Sequence, residues 1–312
     1  MDPEPVVRGA VMEDAERVAH LVNEVELAQV EMAVYTPSSL QEEWSQHGDD
    51  LAANTRIVEV GGRLAGYVDM HPDADSRELY YEGYVAPDWA DRGIQTLLFE
   101  IAEDEAGSLA RRLGDPVSLS TNVGNTRVAT DLERRGYERT LHELAMFLDL
   151  DGHRPEVALP AGVTIRPFVE GRDERLMWDT MRAGFAEDWD GTPDREEWIR
   201  VHQEAPAYDP ALWFFAWHDD RAIGAVQARE QWRAQADTGW LKNIAVLEPA
   251  RRKGVGRALL FHAAGLFNDR GKKRMVLGTY AANPTAAPQF YLHLGMRIGG
   301  ESFDYANRIA PS

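Results

Sequence analysis

At 312 residues, with 44% hydrophobic composition and nine tryptophans, the chain is long enough for two ordinary domains with substantial cores. A formal charge of −19 excludes a nucleic-acid partner as the expectation, because such a surface repels phosphates, and no run approaches the eighteen apolar residues of a membrane span. The absence of cysteine excludes disulfides, thiolate metal sites and a cysteine nucleophile, so any group transfer must use other side chains.

Charge is unevenly placed. Residues 1–155 hold 31 Asp and Glu against 13 Arg and no Lys, net −18, and the remainder is almost balanced at net −1. All four lysines lie beyond residue 240. Such a surface keeps a protein soluble and also tolerates a cationic small molecule. The start, MDPEPVVRG, lacks the basic-then-apolar order of a secretory signal, and a cytoplasmic protein is expected.

In chain order, TRIVEV (55–60) and YVDM (67–70) flank Gly61 and Gly62 as a hairpin, and Val85 to Gly93 leads into a glycine-initiated helix. DGHRPEVALPAG, residues 151–162, reads as a linker. Beyond it, WFFAW (213–217) and AVQAR (225–229) flank Asp219 and Asp220 as a second hairpin. LKNIAV (241–246) is an apolar strand and RALLFHAAGLF (257–267) has helical spacing. RMVLGTY (274–280) returns as a strand, and PTAAPQFYLHLG (284–295) is a last helix ended by glycine.

The second set repeats the first. Arg63–Gly66 answers Arg221–Gly224 at an offset of 158, Val85 and Gly93 answer Val246 and Gly254 at 161, and Arg135–Tyr137 answers Leu294–Met296 at 159. Arg8 and Asp14 answer Arg166 and Asp173 at 158 and 159. An offset held this closely means two copies of one α/β fold, residues 1–150 and 163–312, each with a central sheet flanked by helices.

The stretch PARRKGVGRALL, Pro249–Leu260, carries the clearest chemistry. Unpaired N–H groups and the positive dipole end at a helix start make a glycine-rich turn an anion cradle, and Arg251, Arg252 and Lys253 add charge. The expected ligand is a phosphate or pyrophosphate; a solvated basic turn is the alternative. The spacing is neither that of the nucleotide-binding G-x-x-x-x-G-K-S/T loop nor, with Gly254-Val255-Gly256 alone, that of a dinucleotide fingerprint.

Val246-Leu247-Glu248-Pro249-Ala250-Arg251-Arg252-Lys253-Gly254-Val255-Gly256 resembles the R/Q-x-x-G-x-G/A signature of the GCN5-related N-acetyltransferase (GNAT) family. Asn283, Ala287, Tyr291 and Gly295-Met296 are similar to that family's N…A…Y-x-x-x-G-F segment, with one extra residue between Asn283 and Tyr291. The resemblance covers most of residues 163–300. It implies tandem GNAT folds with mixed, mostly antiparallel sheets, and direct transfer of an acetyl group from acetyl-CoA to an amine.

It also implies roles. The Val246 N–H faces the oxyanion, Tyr291 is the general acid, and Ile244, Ala245, Val255, Gly256, Arg257, Ala258 and Asn283 join the basic turn in holding acetyl-CoA. Tyr291 could otherwise be an aromatic core anchor. In the first copy Ala90 stands for Arg251, Gln95 for Gly256 and Leu132 for Tyr291, so that copy is expected to be catalytically silent.

Two copies in this length resemble the mycothiol-synthase branch of the family. Where that branch has a glutamate before the splayed strand this chain has Trp240, which leaves the general base open among Glu187, Asp188, Asp190 and Asp237. Trp189, Trp198, Trp213, Trp232 and Trp240 make the acceptor side aromatic. Most are expected in the core, while Asp188, Trp189, Asp237 and Trp240 are the candidates for meeting a small-molecule amine.

His142-Glu143 lacks the second histidine of a zinc motif, and no metal is expected. A monomer or homodimer is expected. A non-catalytic acyl-CoA sensor and an acetyltransferase of peptide N-termini are the rival readings.

Overall fold

The structure is a computed structural model that describes residues 3–30, 33–45, 50–124, 126–150, 159–185, 194–205 and 207–311. In the first repeat β1 (Val6–Arg8), α1 (Ala15–Val30), α2 (Pro37–Ser45) and α3 (Leu51–Asn54) precede the strands β2 (Thr55–Val60), β3 (Arg63–Asp73) and β4 (Glu78–Val85). Then come α4 (Ile94–Leu113), β5 (Val117–Val123), α5 (Thr126–Arg134) and β6 (Glu138–Asp149). The second repeat runs β7 (Val163–Pro167), α6 (Glu174–Gly184), α7 (Arg195–Gln203), β8 (Trp213–His218), β9 (Arg221–Arg229) and β10 (Thr238–Val246). It ends with α8 (Val255–Asp269), β11 (Arg274–Tyr280), α9 (Ala287–His293) and β12 (Arg297–Ile309).

The chain divides into two compact units. One comprises Met1–Leu144, Tyr280–Thr285 and Gly299–Ser312, the other Ala145–Thr279 and Ala286–Ile298. The limits therefore fall inside β6 and inside β12.

In the first unit the strand order is β1-β2-β3-β4-β5-β12. Gly61 and Gly62, with φ of 58° and 78°, close the β2–β3 hairpin as the turn pattern requires. β4 and β5 are parallel but pair only from Glu78↔Ser118 to Tyr80↔Ser120, after which β4 runs on to Val85. Apolar side chains leave both faces of the sheet. Trp44, Leu40 and Val18 meet Ile57 and Tyr67 on one side, and Leu98, Phe99 and Ala102 meet Val68, Met70 and Tyr81 on the other.

The second unit repeats this plan with the order β6-β11-β10-β9-β8-β7. β10 and β11 are parallel and pair only from Thr238↔Arg274 to Trp240↔Val276. β10 then continues beside β9, with a bulge between Leu241 and Asn243. α6 covers one face and α8 the other. Gly239 and Gly224 make the α8 contact possible, because a Cβ at Gly239 would enter the Phe267 ring and one at Gly224 would lie 3.0 Å from Leu259 Cδ1.

The expected strands 55–60 and 274–280 match β2 and β11, and both hairpins are present. The last helix begins at Ala287, not 284, with proline in its first turn. β6 and β12 lie beyond the elements read from sequence. β12, RIGGESFDYANRI, has little apolar alternation; it is held by antiparallel pairing with β5 from Phe303↔Val123 to Ile309↔Val117, and by the buried Tyr305.

Candidate functional site

α8 starts as an open cradle. Gly254 is its N-cap at φ 84°, where a side chain is disfavoured, and Arg252 also has a positive φ of 57°. No side chain among the described residues caps this end, and the Ala258 N–H is already turned inward to Gly254 O at 3.0 Å. That leaves the N–H groups of Val255, Gly256 and Arg257 as the open donors of the first turn. Arg252, Lys253 and Arg257 are exposed around it, while Val255 and Ala258 are buried and anchor the helix to the sheet.

Arg251 does something the sequence did not suggest. Its Nε donates to Val246 O at 3.1 Å and its Nη2 to Gly184 O at 2.9 Å, tying the end of β10 to the end of α6. Since Leu247 N–H donates to Ile223 O at 3.0 Å, ladder alternation turns Val246 and Ile244 toward the other edge of β10, where pairing with β11 has stopped. The Val246 N–H thus opens into the gap between the splayed strands. Ala245 lies under α6, its Cβ in the space a Gly184 side chain would need.

Gly256 is where the pieces meet. A Cβ there would lie 3.3 Å from Phe290 Cζ and 3.7 Å from Val246 Cγ2, so α9 sits on the helix start and the strand end together. The next residue, Tyr291, is 7% exposed, and its hydroxyl has no hydrogen-bond partner among the described residues. Burial alone pushes its phenol up to about 12, so it carries its proton throughout the neutral range. Asn283 belongs to the first unit, and its Oδ1 is engaged locally by the Thr285 N–H at 2.9 Å.

On the α6 and α7 side of the second sheet stands a polar row. Arg229, directly opposite Trp240 in the register, has its guanidinium carbon 5.1 Å from the indole centroid, and Lys242 Nζ is 5.7 Å from the same ring. Trp240 is thus already flanked by two cations of the chain. Asp237 lies nine residues before Val246, about 30 Å along an extended strand, with its carboxylate 3.7 Å from Lys273 Nζ. Asp188, Trp189, Glu187 and Asp190 lie outside the described residues. Among the remaining tryptophans, Trp198 and Trp213 are buried as core.

Residues 175–296 match the acetyltransferase (GNAT) family. The chain is 28% identical over 305 residues to a mycothiol acetyltransferase of Geodermatophilus obscurus, covering 95% of this chain and 96% of that one. It is 27% identical over 268 residues to the mycothiol acetyltransferase of Nocardia farcinica, covering 83% and 84%. The crystal structure of a GCN5-related N-acetyltransferase from Sphaerobacter thermophilus superposes with a TM-score of 0.82 at 26% identity, covering 99% of this chain and 96% of that chain. The chain thus carries a GNAT-family acetyltransferase domain over residues 175–296. Its tandem fold is shared with a tandem GNAT protein from the clavulanic acid biosynthesis pathway, at TM-score 0.68, 17% identity and coverage of 99% and 100%.

The first GNAT repeat keeps the backbone and changes the side chains. Gly93 caps α4 at φ 81°, again with no side-chain cap, but Gln95 follows it and Leu132, fully buried, holds the phenol's place. On its polar face the positions answering Gln227 and Asn243 are Asp69 and Glu82, paired across β3 and β4. Tyr67 OH donates to Asp69 at 2.9 Å and Tyr80 OH to Glu82 at 3.0 Å. The residues that sequence reasoning passed over in this acetyltransferase are Gln227, Arg229, Lys242 and Asn243. Their signal was present as polar residues inside the apolar strands AVQAR and LKNIAV.

Proposed function

We propose that the chain moves the acetyl group of acetyl-CoA directly to the primary amine of a small molecule, using the second repeat, residues 163–312. The observation that carries this is the convergence at Gly256 of an uncapped helix start, the splayed end of β10 and α9, which reaches it through Phe290, the neighbour of Tyr291. Val255, Gly256 and Arg257 N–H groups, with Arg252 and Lys253, face the pyrophosphate. Ile244, Ala245 and Val246 border the slot between the strands.

The amine nitrogen bonds to the thioester carbonyl carbon while the Val246 N–H donates to the oxygen on which charge develops. The carbon–sulfur bond breaks, Tyr291 gives its proton to the departing sulfur, and the amine's extra proton passes to water. With no cysteine the acetyl group has no thiol resting place on the protein, so both substrates are bound at once. The first repeat, residues 1–150, acts as a non-catalytic companion, since the Gln95 side chain obstructs close approach to its helix start and Leu132 replaces the acid. Asp188 and Trp189 are assigned to the acceptor side from the sequence alone.

Calorimetric titration with acetyl-CoA tests the reading. One site in the intact chain, lost in Gly256→Gln, is expected; a site that survives the substitution overturns the placement. The loss of a carboxylate at Trp240 favours a second reading, an acyl-CoA sensor. That reading prevails if acetyl-CoA binds and no amine in a screen releases free CoA.

A further inference from the structure

Arg229 and Lys242 share one face of the second unit's sheet with Trp240 because of the bulge. The register passes from Leu241↔Ala228 to Asn243↔Gln227, and Lys242 is the extra residue between them. Both cations are partly buried, and among the described residues neither has a carboxylate within ion-pair distance. Elsewhere in the same unit the rule is the opposite: Arg270 meets Asp209 at 2.8 Å and Lys272 meets Glu230 at 2.7 Å.

Burial and the nearby guanidinium hold the Lys242 ammonium down to about 8. Burial and Lys242 together hold the His202 imidazole down to about 4, so it is neutral. Beside them Gln227 is 1% exposed; its Oε1 accepts from Asn243 Nδ2 at 2.9 Å, and its Nε2 is buried with no acceptor among the described residues. Partly buried cations without a carboxylate among the described residues and a stranded amide donor each oppose folding, and all three groups call for the same kind of partner, an acceptor of several hydrogen bonds with negative charge.

We propose that Arg229, Lys242 and Gln227 form an oxyanion pocket, and that the amine acetylated by this enzyme carries a carboxylate or phosphate which docks there. The second clause rests on the acetyl-transfer reading; the pocket itself does not. A carboxylate or phosphate spans the two cations and accepts from the Gln227 amide, while the indole of Trp240 fixes the cations' positions.

The chain has only four lysines, so 13C-dimethylation of the intact protein gives four lysine signals besides that of the α-amino group, with Lys242 assigned by its loss in Lys242→Met. The probe is inorganic sulfate, with chloride at matched ionic strength as reference. Sulfate is expected to raise the Lys242 titration midpoint by about one pH unit, leave Lys272 and Lys273 in place as references, and act on Lys242 about tenfold more weakly in Arg229→Gln; Lys253, beside the α8 cradle, reports anion binding there instead. A Lys242 midpoint that moves no further than those of Lys272 and Lys273 overturns the pocket. In parallel, wild type and Arg229→Gln are titrated with acetyl-CoA, which both should bind equally. Failure of the wild type to bind it sinks the acetyl-transfer reading and leaves the sulfate result standing. In an amine screen, the best acceptor is expected to be anionic, with KM raised at least tenfold by Arg229→Gln and kcat retained. A best acceptor without an anionic group refutes the second clause.

Discussion

Arg251→Ala separates two roles that a basic residue in this turn can have. Contact with a cofactor phosphate predicts an affinity effect without a stability effect. The structure instead commits two of the guanidinium's donors to Val246 O at 3.1 Å and Gly184 O at 2.9 Å, both carbonyls at the ends of elements that border the site. A charged hydrogen bond contributes about 1.5–3 kcal/mol when well shielded, and partial exposure lowers that toward about 1 kcal/mol for each, giving about 2 kcal/mol for the pair. For the second repeat that corresponds to a loss of about 4–8 °C in melting temperature. Arg251→Lys, whose single ammonium cannot span both carbonyls, should recover about half. Thermal unfolding followed by tryptophan fluorescence, with acetyl-CoA calorimetry on the same samples, measures both quantities. The expected result is lower stability, with weaker acetyl-CoA binding as a consequence of a loosened strand end. An unchanged melting temperature together with a lost cofactor site would refute the tie and return Arg251 to phosphate contact.

Gly239→Ala should cost about 3 kcal/mol, because the new methyl group enters the ring of Phe267, which is fully buried and has nowhere to go; denaturant unfolding that shows less than about 0.5 kcal/mol would remove this packing argument. Tyr291→Phe should lower kcat by about 10²-fold with acetyl-CoA affinity kept, and an unchanged kcat would show that the phenol gives no proton. The same tyrosine titrates at about 12 in the folded chain against an ordinary value of 10.0, so its contribution to stability is complete below pH 10 and is lost as pH rises toward 12. The phenylalanine variant should lose less stability than wild type over that alkaline range in denaturant titrations. His202 has the opposite sign: held at about 4 against 6.5, it favours folding fully above pH 6.5 and loses that contribution as pH falls through 4. His202→Phe should therefore flatten the acid limb of the unfolding profile between those values, and an unaltered limb would mean that the imidazole is hydrated in solution.

Most of what was legible in the sequence came from local chemistry. Gly61-Gly62 and Asp219-Asp220 mark hairpins because few residues accept the backbone a tight turn needs, and RALLFHAAGLF reads as a helix because one face must meet the sheet. The basic turn was visible for the same reason: a glycine at φ 84° and an uncapped helix start are consequences of residues next to one another. The strand β12 was not visible, because RIGGESFDYANRI carries little periodicity of its own and is ordered by a ladder with β5 more than 170 residues earlier. Nor was the use of Arg251, whose acceptors lie 5 and 67 residues away and depend on how α6 meets β10.

The polar face illustrates how far a shared backbone leaves chemistry undecided. Both repeats place a cross-strand polar pair at the same point of the meander, Asp69 with Glu82 in one and Gln227 with Asn243 in the other. In the first, phenols donate to the acids, Tyr67 to Asp69 and Tyr80 to Glu82, and burial raises the nearby Glu43, whose carboxylate takes the Tyr35 hydroxyl at 2.7 Å. In the second the same place holds two neutral amides, with Arg229 and Lys242 as their charged neighbours. Coulomb interactions between groups this close in a partly buried site amount to several kcal/mol, far more than the few tenths that separate one strand-forming residue from another. An anion is therefore repelled by the first face and attracted by the second although the strands beneath them follow one plan. Side-chain charge at four positions, not the fold, decides which repeat can take an acidic acceptor.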